Sequence, residues 1–144
     1  MSRSVKASRG FVMTIKTKSV HSPINRQNDG LRILVTRVRG RGLPSSRYDI
    51  WMANLAPSEK LLKDGRAGKI TWADFSRRYR KELREDGSID RRNHNIKNHG
   101  QKFTLRLLQR LGRSQNITLM CHCDEDQGHC HRHLLRTVLS SKVG

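Results

Sequence analysis

The sequence predicts a single α/β domain in which a mainly parallel sheet is flanked by helices, a three-layer arrangement. Apolar runs of strand length alternate with amphipathic runs of helical period, most clearly in the second half of the chain. The length of 144 residues also suits one domain with its own core. We expect residues 11–144 to form this domain and residues 1–10, which are basic and lack periodicity, to form a flexible arm.

Three segments have the pattern of strands. Apolar residues alternate along residues 11–18, as in a half-buried strand. Residues 31–35 are more continuously apolar and are therefore expected nearer the centre of the sheet. Residues 117–120 form the third predicted strand.

Five segments have helical spacing, and a long polar loop is expected over residues 85–100, where His94 and His99 are interpreted as surface residues. Thr71 with Asp74 three residues later predicts a capped helix start. The five segments are residues 48–55, 58–62, 72–84, 103–111 and 134–139. Their expected core positions are Tyr48, Trp51 and Leu55; Trp72, Phe75, Tyr79 and Leu83; Phe103, Leu107, Leu108 and Leu111; and Leu134, Leu135, Val138 and Leu139.

The chain is strongly basic, with 30 Lys and Arg against 12 Asp and Glu and a formal net charge of +18. Such an excess favours nucleic acid or another polyanion as a partner. No apolar run approaches the roughly 20 residues that span a bilayer, and no signal-peptide pattern opens the chain. The three cysteines are clustered, unlike a secreted disulfide framework, so we expect a cytoplasmic protein with reduced thiols and no membrane contact.

An arginine-rich loop, residues 36–44, follows the second predicted strand. Arg37, Arg39 and Arg41 alternate there with smaller residues. Guanidinium groups bind phosphate and carboxylate in bidentate fashion, and loops at strand ends are where open α/β folds bind ligands. The pattern predicts an anion site, although a merely exposed basic loop would have the same sequence.

All three cysteines and four of the seven histidines lie within residues 119–133, between the last strand and the last helix. One interpretation is a metal centre: Cys121, Cys123, Cys130 and His131 form a C-x-C-x6-C-H pattern whose side chains suit tetrahedral zinc. Zinc is the one cofactor that the sequence suggests.

A second interpretation is thiol chemistry, with Cys121, Cys130 and His131 as catalytic residues and Arg132 as a further anion-binding residue. Cys130 at a helix N-terminus beside Arg132 is expected to have a lowered pKa. His131 would act as acid or base, partnered by an acidic residue of the series Asp124, Glu125 and Asp126. The spacing differs from the C-x5-R loop of cysteine phosphatases. A third interpretation is that the cysteines are small buried apolar residues.

Four motifs in order resemble the YeaO-like proteins of the domain-of-unknown-function 488 family. They are the strand and Arg-Gly loop of residues 31–43, Trp51 with residues 55–58 and 61–62, residues 72–79 with Glu82 and Leu83, and residues 117–121 running on to Cys130, His131 and Arg132. The resemblance implies a compact α/β domain with a shared pocket built from the arginine loop and the Cys-His-Arg segment. It supplies no activity. Cys123 stands where the family more usually has glutamate, and Val38 precedes Arg39-Gly40 in place of a Trp-Pro pair.

The leading prediction is a protein that binds a phosphate-bearing ligand, either nucleic acid or a nucleotide, at the arginine loop beside the Cys-His-Arg segment. The arginines would hold the phosphate, and the Cys-His pair would act on the phosphate or on a bound base. The alternatives are a zinc-stabilised, non-catalytic nucleic-acid-binding module and an enzyme acting on a small anionic metabolite. The sequence does not determine the oligomeric state.

Overall fold

The computed structural model describes residues 14–84 and 102–141. In chain order these residues form β1 (Ile15–Ser19), α1 (Arg26–Asp29), β2 (Leu31–Leu34), β3 (Ile50–Trp51), α2 (Glu59–Arg66), α3 (Trp72–Arg84), α4 (Lys102–Gly112), β4 (Ile117–Cys121) and α5 (His131–Leu139). Short 3-10 turns at Ser45–Arg47 and Ala53–Leu55 flank β3.

The four strands form one parallel sheet in the order β1-β4-β2-β3. β4 lies between β1 and β2, with Ile117 level with both Ile15 and Leu31, and every residue of β4 is buried. This burial on both faces explains why β4 is a continuous apolar run. The predicted three-layer α/β fold is confirmed, including the central position of residues 31–35.

Each face of the sheet has its own packing. Alternate residues of β4 face a large core formed with α2, α3, α4 and α5, whereas Met120 and Leu34 belong to a smaller cluster on the opposite face. On that opposite face, the hydroxyl of Thr118 donates to the carbonyl of Asp29 at 2.7 Å, which holds α1 against the sheet.

The predicted starts of α2 and α3 are confirmed, and so are the core stripe of α5 and three of the four core positions of α3. Thr71 Oγ1 accepts a hydrogen bond from the Asp74 amide at 3.1 Å, and Ser58 caps α2 in the same way. Of the predicted stripes, Phe75, Tyr79 and Leu83 of α3 and Leu134, Leu135, Val138 and Leu139 of α5 are buried.

The helical spacing over residues 48–55 was misleading, because this segment contains an edge strand between two 3-10 turns. β3 pairs with β2 through Asp49 N–H to Arg32 O and Met52 N–H to Leu34 O, each at 2.9 Å. Trp51 is therefore not a core residue. Trp51 is 42% exposed, and its indole N–H donates to the carbonyl of Thr36, two residues beyond β2.

The predicted inward stripe of α4 is wrong at two positions. Leu105 and Leu108 are buried, whereas Phe103 is 59% and Leu107 is 52% exposed. The apolar band of α4 is wider than the face that packs on the core. The helical period alone does not select which part of such a band is buried.

Several predictions fall outside the described residues: the arm of residues 1–10, the start of the first strand, and the loop with His94 and His99. Within the described part of the chain, no helix combines the length and the apolar character needed to cross a bilayer.

Asp29 is the buried acid that ties α1 to the first strand. Its carboxylate accepts from Lys18 at 2.9 and 3.1 Å and from the Asn25 amide at 2.8 Å, and Lys16 lies 3.8 Å away. Burial alone would raise the pKa of Asp29, but these hydrogen bonds and the two lysine charges outweigh it, and the pKa is lowered.

Replacing Asp29 with asparagine is expected to lower the free energy of unfolding by about 2 kcal/mol at pH 7, because charge-assisted hydrogen bonds are lost. A lowered pKa stabilises the fold above the ordinary carboxyl pKa and loses that effect as the pH falls through the folded value. The difference between Asp29→Asn and the native chain should therefore shrink below about pH 4. Urea unfolding of both proteins at pH 7 and below about pH 4 measures this difference in the free energy of unfolding. Asp126→Asn, at an exposed carboxylate, is the control, and equal losses in the two variants would contradict the assignment.

Candidate active site at the carboxyl ends of the central strands

The arginine loop and the cysteine loop meet because β2 and β4 are parallel neighbours whose carboxyl ends lie at the same edge of the sheet. The Val35 amide donates to Met120 O at 2.9 Å just before the two loops diverge. Further out, the ring of His122 lies against Gly40, where a Cβ would stand 2.6 Å from the ring, and Gly40 also has a φ of 97°. Only glycine fits this contact and this backbone conformation.

The three cysteines lie together at this edge as free thiols. The Sγ atoms of Cys121 and Cys130 are 2.9 Å apart, and those of Cys121, Cys123 and Cys130 all lie within 4.8 Å of one another. β4 supplies Cys121 at its last residue, and α5 supplies Cys130 at its N-cap. The last strand and last helix thus bring together residues that nine positions separate in sequence.

Arg132 is completely buried behind these thiols. Its Nη1 donates to Cys121 Sγ at 2.7 Å and to the carbonyl of Cys123 at 3.2 Å. Its Nη2 donates to the carbonyls of Asp124 and Glu125 at 3.0 and 3.1 Å. The sequence-predicted anion ligand Arg132 therefore holds the Cys121 sulfur and the cysteine loop, and its Nε is a buried polar atom without a hydrogen-bond partner among the described residues.

These contacts stabilise the anionic form of Cys121. The Cys130 thiol donates a hydrogen bond to Cys121, and the Cys123 amide and the charge of Arg132 add to it, so that the pKa of Cys121 falls to about 6 although burial opposes the shift. Conversely, the hydrogen bond to Cys121 and burial raise the pKa of Cys130. The expectation that Cys130 carries the lowered pKa is wrong: the Cys130 thiol, the Cys123 amide and Arg132 all favour the charge on Cys121, and they outweigh the Arg132 amide that favours it on Cys130.

His131 lies at the start of α5, with its Nε2 2.6 Å from the carbonyl of Val35. A carbonyl only accepts, so Nε2 carries the proton and Nδ1 is the acceptor. Burial lowers the pKa of His131 to about 4, which keeps the ring neutral at pH 7. The ring also meets Tyr79 edge to face at a centroid distance of 5.8 Å.

The acidic residues of the loop do not form the expected pair with His131. The Glu125 carboxylate instead accepts from the Ser19 amide at 3.0 Å and from the Ser22 hydroxyl at 2.5 Å. Glu125 therefore fixes the cysteine loop to the end of β1, and the partner of His131 is a backbone carbonyl.

A cleft of about 950 Å³ opens beside the thiols, between the two loops and the helices α2 and α3. Three basic side chains line it, Arg37, Lys63 and Arg66, together with one acidic side chain, Glu59. All four residues are exposed. The surplus of positive charge suits an anionic ligand.

The other two arginines of the loop have different surroundings. Arg39 donates through Nε to the Tyr48 hydroxyl at 2.6 Å and through Nη2 to the carbonyl of Leu43 at 2.5 Å, which fixes the shape of the loop. Arg41 is exposed, and it does not belong to the described lining of the cleft. Of the loop arginines, Arg37 is the one that shares the cleft with the cysteines.

Sequence reasoning did not assign Lys63, Arg66 or Trp72 to the site, although all three line the cleft, and it considered His129 only as a substitute metal ligand. Trp72 was interpreted only as core, although its ring is half-buried and faces the cleft. The two basic residues lie on the last turns of α2, and no local pattern connects that helix to the cysteine loop.

The three sulfur atoms could hold a metal ion. Among the described residues, the candidate metal-binding group consists of Cys121, Cys123 and Cys130. His131, the fourth predicted zinc ligand, is not part of this group, and its Nε2 faces the carbonyl of Val35 instead.

A protein-family model matches most of the chain. Residues 15–143 match the family model DUF488-N3a, described as the active DUF488-N3 subclade. No curated protein and no solved structure matches the chain. The match spans nearly all of the fold and both loops of the site, and it confirms the resemblance seen in the motifs: the chain belongs to the DUF488 family.

Proposed function

We propose that this protein is a cysteine-dependent enzyme that binds a phosphate-bearing ligand, a nucleotide or nucleic acid, in the cleft and uses Cys121 as its nucleophile. The observation that carries the proposal is the pair of donors on Cys121 Sγ, the Cys130 thiol at 2.9 Å and the buried Arg132 at 2.7 Å. The subclade that the chain matches is described as active, which also supports catalysis.

The surroundings of Cys121 differ from those of a cysteine that serves only as a small apolar residue. Burying a guanidinium costs free energy unless an anion and further acceptors compensate for its lost hydration. Arg132 donates four hydrogen bonds, three to backbone carbonyls and one to Cys121 Sγ. Such an arrangement stabilises a thiolate, which is the nucleophilic form of cysteine.

In the proposed reaction the Cys121 thiolate forms a bond to the electrophilic centre of the ligand, and the leaving group departs with the electron pair of the broken bond. Cys130 stays protonated and gives up its hydrogen bond as the charge leaves the Cys121 sulfur. Neutral His131 offers Nδ1 as a hydrogen-bond acceptor, since its low pKa makes it a weak base at pH 7.

The phosphate part of the proposal is supported by Arg37, Lys63 and Arg66 at the cleft and by the net charge of +18. We also propose, from the same charge and from the reduced thiols, that nucleic acid is a partner and that the protein works in the cytoplasm.

Replacing Arg37 with alanine is expected to weaken the binding of a labelled oligonucleotide and to reduce the salt slope of log K by about 1, because one phosphate contact is lost. Titrations at several salt concentrations measure the slope. Arg113→Ala is the matched control, since Arg113 is exposed just before β4, at the opposite edge of the sheet. The same slope in the Arg37→Ala variant and the native chain would remove Arg37 from the ligand site.

Protection of Cys121 from alkylation by a bound ligand tests whether this residue is the nucleophile. Iodoacetamide should alkylate Cys121 first in the native chain, and AMP or the oligonucleotide should slow this reaction if the ligand occupies the cleft. Peptide mapping by mass spectrometry identifies the alkylated cysteine. Alkylation confined to Cys123, with Cys121 inert, would argue against the proposal.

The competing proposal is a zinc centre on Cys121, Cys123 and Cys130, favoured by the three sulfur atoms within 4.8 Å. It predicts close to one zinc per chain in tag-free, reduced protein, and unfolding in chelator because structural zinc contributes directly to folding. Little or no bound metal, with full melting stability in chelator, would favour the enzyme.

A further inference from the structure

Three aromatic rings lie nearly parallel along one wall of the cleft. The rings of Trp72 and His129 have centroids 4.5 Å apart and planes 10° apart, and Trp72 and Phe75 have centroids 5.2 Å apart at 12°. All three residues line the cleft that also contains the cysteines. Phe75 is buried in the core, whereas Trp72 is half-buried and His129 is exposed. The series therefore runs from the core outward.

The outermost ring belongs to a loop that is held by hydrogen bonds before His129 and that leads directly into α5 after it. Arg132 holds the carbonyls of Asp124 and Glu125, and His133 Nε2 lies 3.0 Å from the carbonyl of Gln127. Gly128, directly before His129, has no atom within 4 Å of the position that a Cβ would take. His129 itself is exposed, so its imidazole can turn away from Trp72 into solvent while the rest of the loop stays in place.

We propose that the indole of Trp72 is the stacking platform for the base of a nucleotide, and that His129 covers this platform until the base displaces it. This inference rests on the proposed function and narrows its ligand to a mononucleotide. Arg37, Lys63 and Arg66 would face the phosphate.

The choice of ligand follows from size and ring chemistry. A cleft of about 950 Å³ is in the range of small-molecule sites, and one platform accommodates one base. A nucleobase has a larger ring system than imidazole, so it gains more from stacking on indole and displaces His129. The basic lining complements the phosphate on the other end of the same molecule.

Tryptophan fluorescence tests this inference on the full chain. The protein has two tryptophans, so Trp51→Phe leaves Trp72 as the single reporter. We expect AMP to change the Trp72 emission and to bind at least 10-fold more tightly than ribose 5-phosphate, which carries the phosphate without the base. Adenosine should bind more weakly than AMP because it lacks the phosphate.

Variants of Trp72 and His129 test separately the stacking role of the indole and the covering role of the imidazole. Trp72→Ala, followed by calorimetry, should weaken AMP binding by about 10- to 100-fold, whereas Trp72→Phe keeps a platform and most of the affinity. His129→Ala should tighten AMP binding about 3- to 10-fold, because no ring then competes for the indole, and should leave ribose 5-phosphate unchanged. His21→Ala, at an exposed histidine outside the lining of the cleft, is the control.

The outcomes distinguish the inference from the proposed function. Equal binding of AMP and ribose 5-phosphate, with unchanged Trp72 emission, would overturn the platform and leave the phosphate site standing. Weaker AMP binding by the His129→Ala variant would overturn the displacement, since it would mean that the base stacks on His129 itself. If neither phosphate compound binds, both the inference and the phosphate part of the proposed function fail.

Discussion

Replacing Arg132 with methionine is expected to lower the free energy of unfolding by about 3–5 kcal/mol, because it removes one partner of a buried, hydrogen-bonded charge pair. Methionine fills a similar volume but donates no hydrogen bond. The carbonyls of Cys123, Asp124 and Glu125 would each lose a donor, and the Cys121 thiolate would lose its cation. The cysteine loop would then detach from α5.

Chemical denaturation of the reduced protein measures this loss, and the melting temperature should fall by about 10 °C or more. Arg136→Met is the matched control on the same helix. Arg136 is exposed and donates one described hydrogen bond, from Nε to the carbonyl of Ile15 at 2.8 Å, so about 1 kcal/mol or less is expected. Similar losses in the two variants would mean that the hydrogen bonds of Arg132 do not organise the site.

Replacing Cys130 with alanine should leave the chain folded but reduce the alkylation rate of Cys121 at pH 7 about 10-fold. The Cys130 hydrogen bond is the largest contribution to the lowered pKa of Cys121. Without it the pKa moves back toward the ordinary thiol value of about 8.5, and the thiolate becomes the minor form at pH 7.

Site-resolved mass spectrometry after brief iodoacetamide treatment follows this change. Cys123→Ala serves as the matched control, because the substitution keeps the Cys123 backbone amide, the group that supports Cys121, and removes a thiol whose pKa is raised. Its Cys121 rate should stay within about twofold of the native rate. Equal slowing by the two substitutions would show that general disturbance of the loop is the cause.

The order of strand, loop and helix at the end of the chain was predictable because the local signals agree. The apolar run that became β4 is buried on both faces, and the periodic residues of α5 face the core. This order placed Cys121 at a strand end and Cys130 at a helix start. The arginine loop was likewise predictable at the carboxyl end of a central strand, which is why the two loops were expected to share a site.

The electrostatics of the site were not predictable from spacing. The sequence gives no distance between Cys121 and Cys130, so the hydrogen bond that divides the charge between them was unknown, and the lowered pKa was expected on the wrong thiol. Arg132 was predicted as an anion-binding residue, but the sequence did not indicate that its side chain is wholly buried. Tertiary contacts determine both features.

The predictions of the edge strand and of the buried helix faces failed for a related reason. Ile50 and Trp51 form a two-residue strand because β2 offers free backbone groups, a factor that is absent from local periodicity. The cleft wall at Trp72 and His129 joins residues 57 positions apart, and helical spacing had assigned Trp72 to the core alone.

The pH dependence of Cys121 alkylation tests the central claim most directly. A lowered pKa means that the thiolate is present above about pH 6 and is lost only as the pH falls below it. Rates measured by mass spectrometry from pH 4 to pH 10, in chelator so that no metal masks the thiols, should therefore rise through an inflection near pH 6 and be flat by about pH 7.5. An inflection near the ordinary thiol value of about 8.5, or no reaction of Cys121 until the protein unfolds, would contradict a stabilised thiolate at this site.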